Sequence, residues 1–163
     1  MRISVFGLGY VGSVCAACLA ERSHTVVGID KAAAKVDLIR SGKSPVVERH
    51  IDELVAKGAK SGHLTATSDV AEAVKSTDLS LVCVGTPSRR NGALSLAAIE
   101  AVSSEIGEAI RSKATRHEIV VRSTVLPGTT RGVVLPRLVA ASGKEPGGAF
   151  GLAFNPEFMR EGS

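Results

Sequence analysis

The chain has 163 residues, a length that corresponds to one domain. Hydrophobic residues make up 44% of it and charged residues 22%, which is the composition of a folded globular protein and excludes a disordered or fibrous one. A net charge of +4 and an aromatic content of only 3% provide neither the basic surface nor the stacking rings of nucleic-acid-binding proteins.

An uncharged segment at residues 3–20 follows the single basic residue Arg2 and superficially resembles a signal peptide or a short membrane span. Gly7, Gly9 and Gly12 interrupt it, however, and would weaken a helix that crossed the whole segment. We therefore interpret it as a strand, a glycine turn and a helix, and we expect a cytoplasmic protein with no membrane partner.

Three cysteines do not form an even set of disulfides, which indicates reduced thiols. Cys15 and Cys18 form a C-x-x-C pair, for which packing is favoured and redox chemistry is the alternative. No second pair follows at zinc spacing, so no metal site is predicted. Within the first helix, Val14, Cys15, Cys18 and Leu19 are predicted to lie on one face.

Strands and helices alternate along the sequence. Strands are predicted at residues 3–6, 25–29, 64–67, 79–84, 117–122 and 150–154. Helices are predicted at residues 11–22, 32–40, 48–60, 69–75, 95–113 and 129–141. Ser68 is the expected N-cap of the fourth helix, and Pro136 should kink or restart the last one. The middle strands are almost continuously apolar, which indicates a mostly parallel sheet covered on both faces, so the pattern predicts a doubly wound α/β fold.

The first strand runs into the motif Gly7-Leu-Gly9-Tyr-Val-Gly12, and Asp30 ends the second strand. This G-x-G-x-x-G spacing between a strand and a helix is typical of a Rossmann-type NAD(P)-binding domain. Gly7 would allow the tight turn, Gly9 would let the backbone approach a pyrophosphate, and Gly12 would let the helix pack closely. A carboxylate at Asp30 favours NAD over NADP, although the lysines beside it leave NADP open. The alternative is a glycine-rich turn that binds nothing.

Hydroxyl groups follow two further strands, at the edge where such sheets bind ligands. Thr86 comes after the fourth strand and Thr124 after the fifth, where they either contact the cofactor or serve as turn and capping residues. The last strand leads into Asn155-Pro-Glu157, a typical helix start. Glu157 is also a candidate for orienting water or transferring a proton, and Glu161, one turn further on, would face the same side.

Together these segments resemble the N-terminal domain of the UDP-glucose/GDP-mannose dehydrogenase family over nearly all of the chain. The matching stretches are ISVFGLGYVG, VVGID, GKSPVVE, VCVGTPS, VVRSTVLPGTT and NPEFMREGS. The forms GTPSRRNG and STVLPGT are most similar to the GDP-mannose 6-dehydrogenase branch. One departure is Glu48-Arg49-His50, where the family usually has Glu-Pro-Gly.

The resemblance implies a four-electron oxidation, in which the C6 alcohol of a nucleotide sugar becomes a carboxylate while two NAD are reduced. The positions that match NAD-contacting residues of the family are Tyr10, Val11, Asp30, Lys35, Thr86 and Thr124. We assign catalytic roles to Glu157 and Thr124, and Glu161 matches a substrate-contacting position.

The resemblance also places the family's nucleophilic cysteine, its catalytic lysine and most nucleotide-sugar contacts in later domains. We therefore expect residues 1–163 to be one dinucleotide-binding domain, without the family's central and C-terminal domains, that binds NAD but is inactive alone. The full-length form is expected to be a homo-oligomer. A stand-alone NAD-sensing regulatory module is the alternative. A short-chain dehydrogenase would need a Tyr-x-x-x-Lys motif, which the lone Tyr10 does not begin.

Overall fold

Six strands form one sheet in which every neighbouring pair is parallel. The computed structural model describes residues 1–160. The strands are β1 (Arg2–Phe6), β2 (Thr25–Ile29), β3 (Leu64–Thr67), β4 (Leu79–Val82), β5 (His117–Val121) and β6 (Phe150–Phe154). Their order across the sheet is β3-β2-β1-β4-β5-β6, so the winding reverses beside β1. The predicted doubly wound α/β fold is confirmed, and its carboxyl edge at β1 is where such sheets bind ligands.

Helices connect the strands and cover both faces of the sheet. They are α1 (Tyr10–Glu21), α2 (Ala33–Arg40), α3 (Ile51–Ser61), α4 (Val70–Ser76), α5 (Ala97–Arg111) and α6 (Leu135–Ser142). A π-helical turn, Thr130–Val134, leads into α6, and Pro136 stands in the first turn of that helix. Proline is tolerated there because the N–H it lacks would have no partner within the helix, so of the two predicted alternatives, a kink or a restart, the structure has the restart.

Each face of the sheet has its own core, because successive strand residues point to opposite faces. Ile3 and Val5 of β1 pack with residues of α1, α2 and α3, whereas Phe6 packs with residues of α4, α5 and α6. Burial of an aliphatic or aromatic side chain of this size is worth about 1.5–3 kcal/mol. The two cores therefore fix the strands, and with them the loops at the carboxyl edge.

The buried face of α1 differs from the predicted one. Its buried residues are the small ones, Gly12, Ser13, Ala16, Ala17 and Ala20. The four residues predicted to share one face, Val14, Cys15, Cys18 and Leu19, lie beside this contact, where Val14 and Leu19 pack against the core while partly buried and Cys18 is exposed. A helix that lies close to a sheet needs small residues at the contact, and the larger side chains fill the flanks.

Two predicted element ends are also wrong. The N-cap of α4 is Asp69 rather than Ser68, because the Asp69 carboxylate accepts a hydrogen bond from the N–H of Glu72 at 2.9 Å. The fourth strand ends at Val82, two residues before the predicted end, so Cys83 lies beyond the strand.

The helix predicted to start at Asn155 is not present in the part of the chain that the structure describes, which continues to residue 160. The side chain of Asn155 instead accepts a hydrogen bond from the guanidinium of Arg122. A different departure appears before α3, where His50 has a φ of 61°. This left-handed conformation favours glycine, which the resemblance described above leads us to expect at this position.

A chain of buried polar side chains lies at the amino edge of the sheet, and we call it the amino-edge chain (Ser4, Thr77, Ser80, Lys113 and His117). The Lys113 ammonium donates to Nδ1 of His117 at 2.8 Å and to two backbone carbonyls. Nε2 of His117 lies 2.7 Å from Ser80 Oγ, which lies 2.8 Å from Ser4 Oγ. Thr77 then donates to Ser4 at 3.1 Å. Burial, helped by the Lys113 cation, lowers the pKa of His117 to about 4, so the ring is neutral at pH 7.

Candidate functional site

The glycine turn joins β1 to α1 at the centre of the carboxyl edge. Gly7 has a φ of 91°, and a Cβ there would lie 2.9 Å from the carbonyl oxygen of Cys83. A Cβ on Gly12 would overlap the carbonyl oxygen of Gly7, so both positions require glycine. Gly9, the N-cap of α1, is different, because a Cβ there would meet no described atom within 4 Å. That Cβ would fill open space at the helix N-terminus, where a pyrophosphate would find free N–H groups.

A first cleft of about 700 Å³ opens on one side of this turn. Its floor includes Gly7, Gly9 and Cys83, and Asp30 and Lys35 line it beyond the end of β2. The opposite wall is the start of α5, with the small residues Ala97, Ala98 and Ala101 and then Val102 and Glu105. A slot between small apolar side chains and a carboxylate fits a nucleoside, because the base is planar and the sugar carries hydroxyl donors.

Asp30 is held in place by the glycine turn itself. Its carboxylate accepts the N–H of Leu8 at 2.8 Å and the N–H of Ala32 at 2.9 Å, and Lys35 Nζ lies 3.4 Å away. Burial opposes ionisation of this group, but the two backbone donors and the Lys35 cation outweigh it, so the pKa of Asp30 is lowered. The result is a fixed anion at the mouth of the first cleft, which can accept hydrogen bonds from a ribose diol and would repel a phosphate.

A second cleft of about 200 Å³ lies on the other side of the turn. The two clefts share Gly9, Cys83, Val84 and Gly85, so together they form one path across the carboxyl edge. The remaining lining of the second cleft is Tyr10, Val11, Thr86, Arg122, Ser123, Thr124 and Glu157. Thr86 Oγ1 donates to the backbone carbonyl of Thr124 at 2.6 Å, which ties the loops after β4 and β5 together.

The carboxylate of Glu157 lines the second cleft without a helix to carry it. It accepts the backbone N–H of Met159, two residues further on. Arg122, at the end of β5, lines the same cleft, and its Nε is buried without a hydrogen-bond partner in the described chain. A buried guanidinium nitrogen with no partner is uncommon in proteins, and the same guanidinium donates through another nitrogen to the side chain of Asn155.

Cys15 and Cys83 meet beneath the second cleft, a contact that the sequence analysis missed by pairing Cys15 with Cys18. A hydrogen bond between the two thiols lowers the pKa of Cys15 against the effect of burial, and the Arg122 guanidinium adds to this through its charge and a hydrogen bond. The same hydrogen bond, together with burial, raises the pKa of Cys83. None of the three cysteines forms a disulfide.

Tyr10 links the glycine turn to two distant segments. Its hydroxyl donates to the Glu48 carboxylate at 2.7 Å and lies 3.1 Å from the backbone carbonyl of Arg160. Glu48 and Arg160 are thereby held close to the start of α1. Glu161, the predicted substrate contact, lies outside the described residues.

The structure thus brings most of the predicted site residues to one edge. Gly7, Gly9, Asp30 and Lys35 line the first cleft. Gly9 also lines the second, with Tyr10, Val11, Thr86, Thr124 and Glu157. Gly12 lines neither and packs against the turn from behind. The sequence analysis missed two lining residues. Arg122 could have been found, because it follows a strand at this edge of the sheet. Glu105 could have been found only from its spacing on α5 relative to the alanines that line the same cleft.

The structure offers neither a metal centre nor a membrane-spanning helix in the part of the chain that it describes. Among residues 1–160, no cluster of three or more His, Cys, Asp or Glu side chains has the arrangement to hold a metal ion. None of the described helices is both long enough and apolar enough to cross a membrane.

A parallel sheet of this order, with a glycine turn after β1 and an acid after β2, defines a Rossmann-type dinucleotide-binding domain. The chain belongs to the UDP-glucose/GDP-mannose dehydrogenase family, and all of residues 1–163 match the family's NAD binding domain. The family resemblance and the NAD cofactor expected from the sequence are therefore confirmed.

Relatives from both branches of the family are similar to this chain. A GDP-mannose 6-dehydrogenase of Pseudomonas savastanoi pv. phaseolicola is 60% identical over 99% of this chain and 37% of its own length. A UDP-glucose 6-dehydrogenase of Haloferax volcanii is 39% identical over 100% of this chain and 37% of its own length. The crystal structure of a ternary complex of GDP-mannose dehydrogenase from Pseudomonas aeruginosa superposes with a TM-score of 0.97 at 55% identity, covering 99% of this chain and 37% of that one.

The chain therefore spans little more than a third of the length of these relatives. All three are named as dehydrogenases, so the comparisons give no support to the alternative of a stand-alone regulatory module.

Proposed function

We propose that this chain is the cofactor domain of a nucleotide-sugar 6-dehydrogenase that oxidises the C6 alcohol of its substrate to a carboxylate. This reaction removes four electrons, which two NAD accept as two hydrides, while water supplies the second oxygen. The observation that carries the proposal is the path formed by the two clefts, with Asp30 at one end, Glu157 at the other and the glycine turn between them. A dinucleotide would lie along this path with its pyrophosphate at Gly9 and one half in each cleft.

The first cleft is proposed to hold the adenosine half of NAD. Asp30 would accept hydrogen bonds from the ribose hydroxyls, and Lys35 would keep that carboxylate ionised and in position. Gly7, Gly9 and Gly12 would bring the N-terminus of α1 close to the pyrophosphate, whose negative charge the helix dipole stabilises.

The second cleft is proposed to hold the nicotinamide half, beside the sugar carbon that reacts. Tyr10, Val11 and Thr86 would contact the cofactor from the turn and from the loop after β4. Thr124, whose carbonyl is already used by Thr86, keeps its hydroxyl available to the nicotinamide side and is proposed to act with Glu157. Glu157 would orient the attacking water or take up a proton, which requires a carboxylate at the cleft wall. Glu161 remains a proposed substrate contact.

GDP-mannose is the substrate that we favour. The relative named for GDP-mannose is 60% identical to this chain, whereas the one named for UDP-glucose is 39% identical. UDP-glucose is the second candidate, because that relative covers the whole chain.

We further propose that the 163-residue chain binds NAD without oxidising the sugar. Cys15 lines neither cleft and Cys18 is exposed on α1, while Cys83, which lines both clefts, has a raised pKa, so none of the three is proposed as the thiol nucleophile. Incubation with NAD and GDP-mannose is expected to give no NADH absorbance at 340 nm, a wavelength at which only the reduced nicotinamide absorbs. Turnover by this chain alone would contradict the expectation.

Calorimetric titration with NAD and NADP tests the cofactor assignment. NAD is expected to bind more tightly, because Asp30 repels a 2′-phosphate. Asp30→Asn should weaken NAD binding by about tenfold, the value of a hydrogen bond to a charged acceptor, and should reduce the preference over NADP. Asp37→Asn, at an exposed position of α2, is the matched control and should bind as the unsubstituted chain does. Equal or tighter binding of NADP by the unsubstituted chain would overturn the assignment.

A further inference from the structure

Two thiols meet where α1 packs against the segment that follows β4. A Cβ on Gly12 would lie 3.4 Å from the Cβ of Cys83, so the Cys83 side chain lies against the first turn of α1. Cys15 follows Gly12 by three residues and therefore lies on the same side of that helix. There the thiols of Cys15 and Cys83 share a hydrogen bond. The fold thus brings into direct contact two cysteines that are far apart in the sequence.

The backbone on both sides of this contact is fixed. The N–H of Cys83 donates to the carbonyl of Phe6 at 2.8 Å, which ties this residue to the end of β1. Its own carbonyl oxygen lies against Gly7 of the glycine turn. On the helix, Cys15 is followed by Ala16, which is buried in the core between α1 and the sheet. Two sulfurs held together by ordered backbone need little rearrangement to become a disulfide.

The surroundings favour the thiolate of Cys15. The hydrogen bond from Cys83, assisted by the charge and a hydrogen bond of Arg122, lowers the pKa of Cys15, and the thiolate is the nucleophilic form. Partial desolvation and the charge of Cys15 instead raise the pKa of Cys18. Cys83 lines both clefts, and neither it nor Cys15 is fully buried. A peroxide, which is little larger than a water molecule, can therefore reach the pair.

We propose that Cys15 and Cys83 are a peroxide-sensitive dithiol, which closes to a disulfide beneath the floor that the two clefts share. The redox alternative considered for the C-x-x-C pair then belongs to Cys15 with Cys83 and not to Cys15 with Cys18. This is a site of reversible modification that is separate from the oxidation of the sugar, and all of its residues lie within this domain.

Hydrogen peroxide is the oxidant, and the reaction has two steps. The Cys15 thiolate attacks one peroxide oxygen, so that an S–O bond forms, the O–O bond breaks and the departing hydroxide takes up a proton to become water. The Cys83 sulfur then attacks the sulfenic acid on Cys15. An S–S bond forms, the S–O bond breaks, and a second water leaves with the Cys83 proton. Two thiols are oxidised by two electrons in total, and one peroxide is reduced to two waters.

Peroxide treatment of the reduced 163-residue chain at pH 7 tests the inference. Two of the three thiols should be lost, and mass spectrometry of the unreduced digest should show the peptides of Cys15 and Cys83 joined. Dithiothreitol should restore both thiols. The Cys15 thiol should react at least about tenfold faster than that of Cys18, because a larger share of it is thiolate. A bond between Cys15 and Cys18, or a faster reaction at Cys18, would overturn the inference.

Three serine variants assign the steps. Cys83→Ser removes the second thiol, so Cys15 should stop at the sulfenic acid, which dimedone traps as a stable adduct. Cys15→Ser should react with peroxide at least about tenfold more slowly than the unsubstituted chain. Cys18→Ser is the matched control on the same helix and should form the disulfide at the unsubstituted rate. If this control lost the disulfide, the pairing would be wrong. The bond mapped in the unsubstituted chain depends on none of the variants, so a variant that fails to fold leaves the inference open to refutation.

Discussion

At the amino edge of the sheet, the polar side chains of the amino-edge chain satisfy one another, from the Lys113 ammonium through His117 to Thr77. Near the carboxyl edge, Arg122, Glu105 and Ser13 each keep a buried polar atom without a partner in the described chain. A hydrogen-bonded buried group is destabilising to remove, whereas an unpartnered one already carries its desolvation cost. One edge is therefore stabilised by its own hydrogen bonds, whereas the other keeps buried polar atoms that contribute no such stabilisation among the described residues.

The largest effect on stability is expected from a substitution in the glycine turn, where one glycine is needed for folding and another for NAD binding. Gly12→Ala should lower the free energy of unfolding by about 3 kcal/mol, because its methyl group would overlap the carbonyl oxygen of Gly7. Gly9→Ala is the matched change three residues earlier in the same turn. It should alter stability by less than about 0.5 kcal/mol and yet weaken NAD binding, since its methyl group occupies the open approach to the helix N-terminus.

Urea unfolding and calorimetry measure the two effects in parallel. If Gly9→Ala bound NAD as tightly as the unsubstituted chain, the pyrophosphate would not lie at this turn. If Gly12→Ala were as stable as the unsubstituted chain, the close contact between α1 and the turn would not constrain the fold.

A pH dependence of stability should come from the amino edge. The pKa of His117 is lowered in the folded chain, to about 4, while the unfolded chain has the ordinary value of about 6.5. Between these values the unfolded state binds the proton and the folded state does not. His117 should therefore reduce stability as the pH falls, by about 2 kcal/mol from pH 7 to pH 5.

His117→Asn removes this titration while its side-chain oxygen can still accept from Lys113. Urea unfolding at pH 7, 6 and 5 should show a smaller loss of stability for the variant than for the unsubstituted chain. Parallel losses in the two proteins would mean that the ring is protonated in the folded state as easily as in the unfolded one.

The smallest expected effects come from two buried serines that differ only in their partners. Ser80→Ala should destabilise the fold by about 1.5 kcal/mol, because it leaves a ring nitrogen of His117 and the hydroxyl of Ser4 short of a partner. Ser13→Ala should change stability by about 0.5 kcal/mol or less, or increase it, since the Ser13 hydroxyl has no partner to lose in the described chain. Thermal unfolding compares them directly, and similar losses would contradict the difference drawn between the two edges.

Much of the carboxyl edge was predictable because its signals are local in sequence. The G-x-G-x-x-G turn, Asp30 after β2 and the threonines after β4 and β5 follow apolar strands, and parallel strands bring such ends together. The strand at residues 64–67 and the restart at Pro136 were predictable for the same reason.

The amino edge was not predictable in this way. Ser4 and Ser80 meet across 76 residues of chain, and nothing next to either residue indicates a polar partner. The packed face of α1 was misjudged because hydrophobicity ranks Val14 and Leu19 above glycine and alanine, whereas closeness to the sheet selects the small side chains. No helix begins at Asn155 in the described residues, because its side chain binds Arg122, which follows β5 and is distant in sequence.

The place of β1 in the sheet has a consequence for refolding. Ile3 of β1 pairs with Val26 on one side and with Leu79 on the other, so one neighbour is close along the chain and the other is distant. Gly7 is fixed by both, through the carbonyl of Ile29 at 2.8 Å and the backbone at Cys83. Contacts between distant segments form slowly because the intervening chain must first be ordered. The capacity to capture NAD should therefore emerge only after β4 has docked, later than the first rise in helical signal.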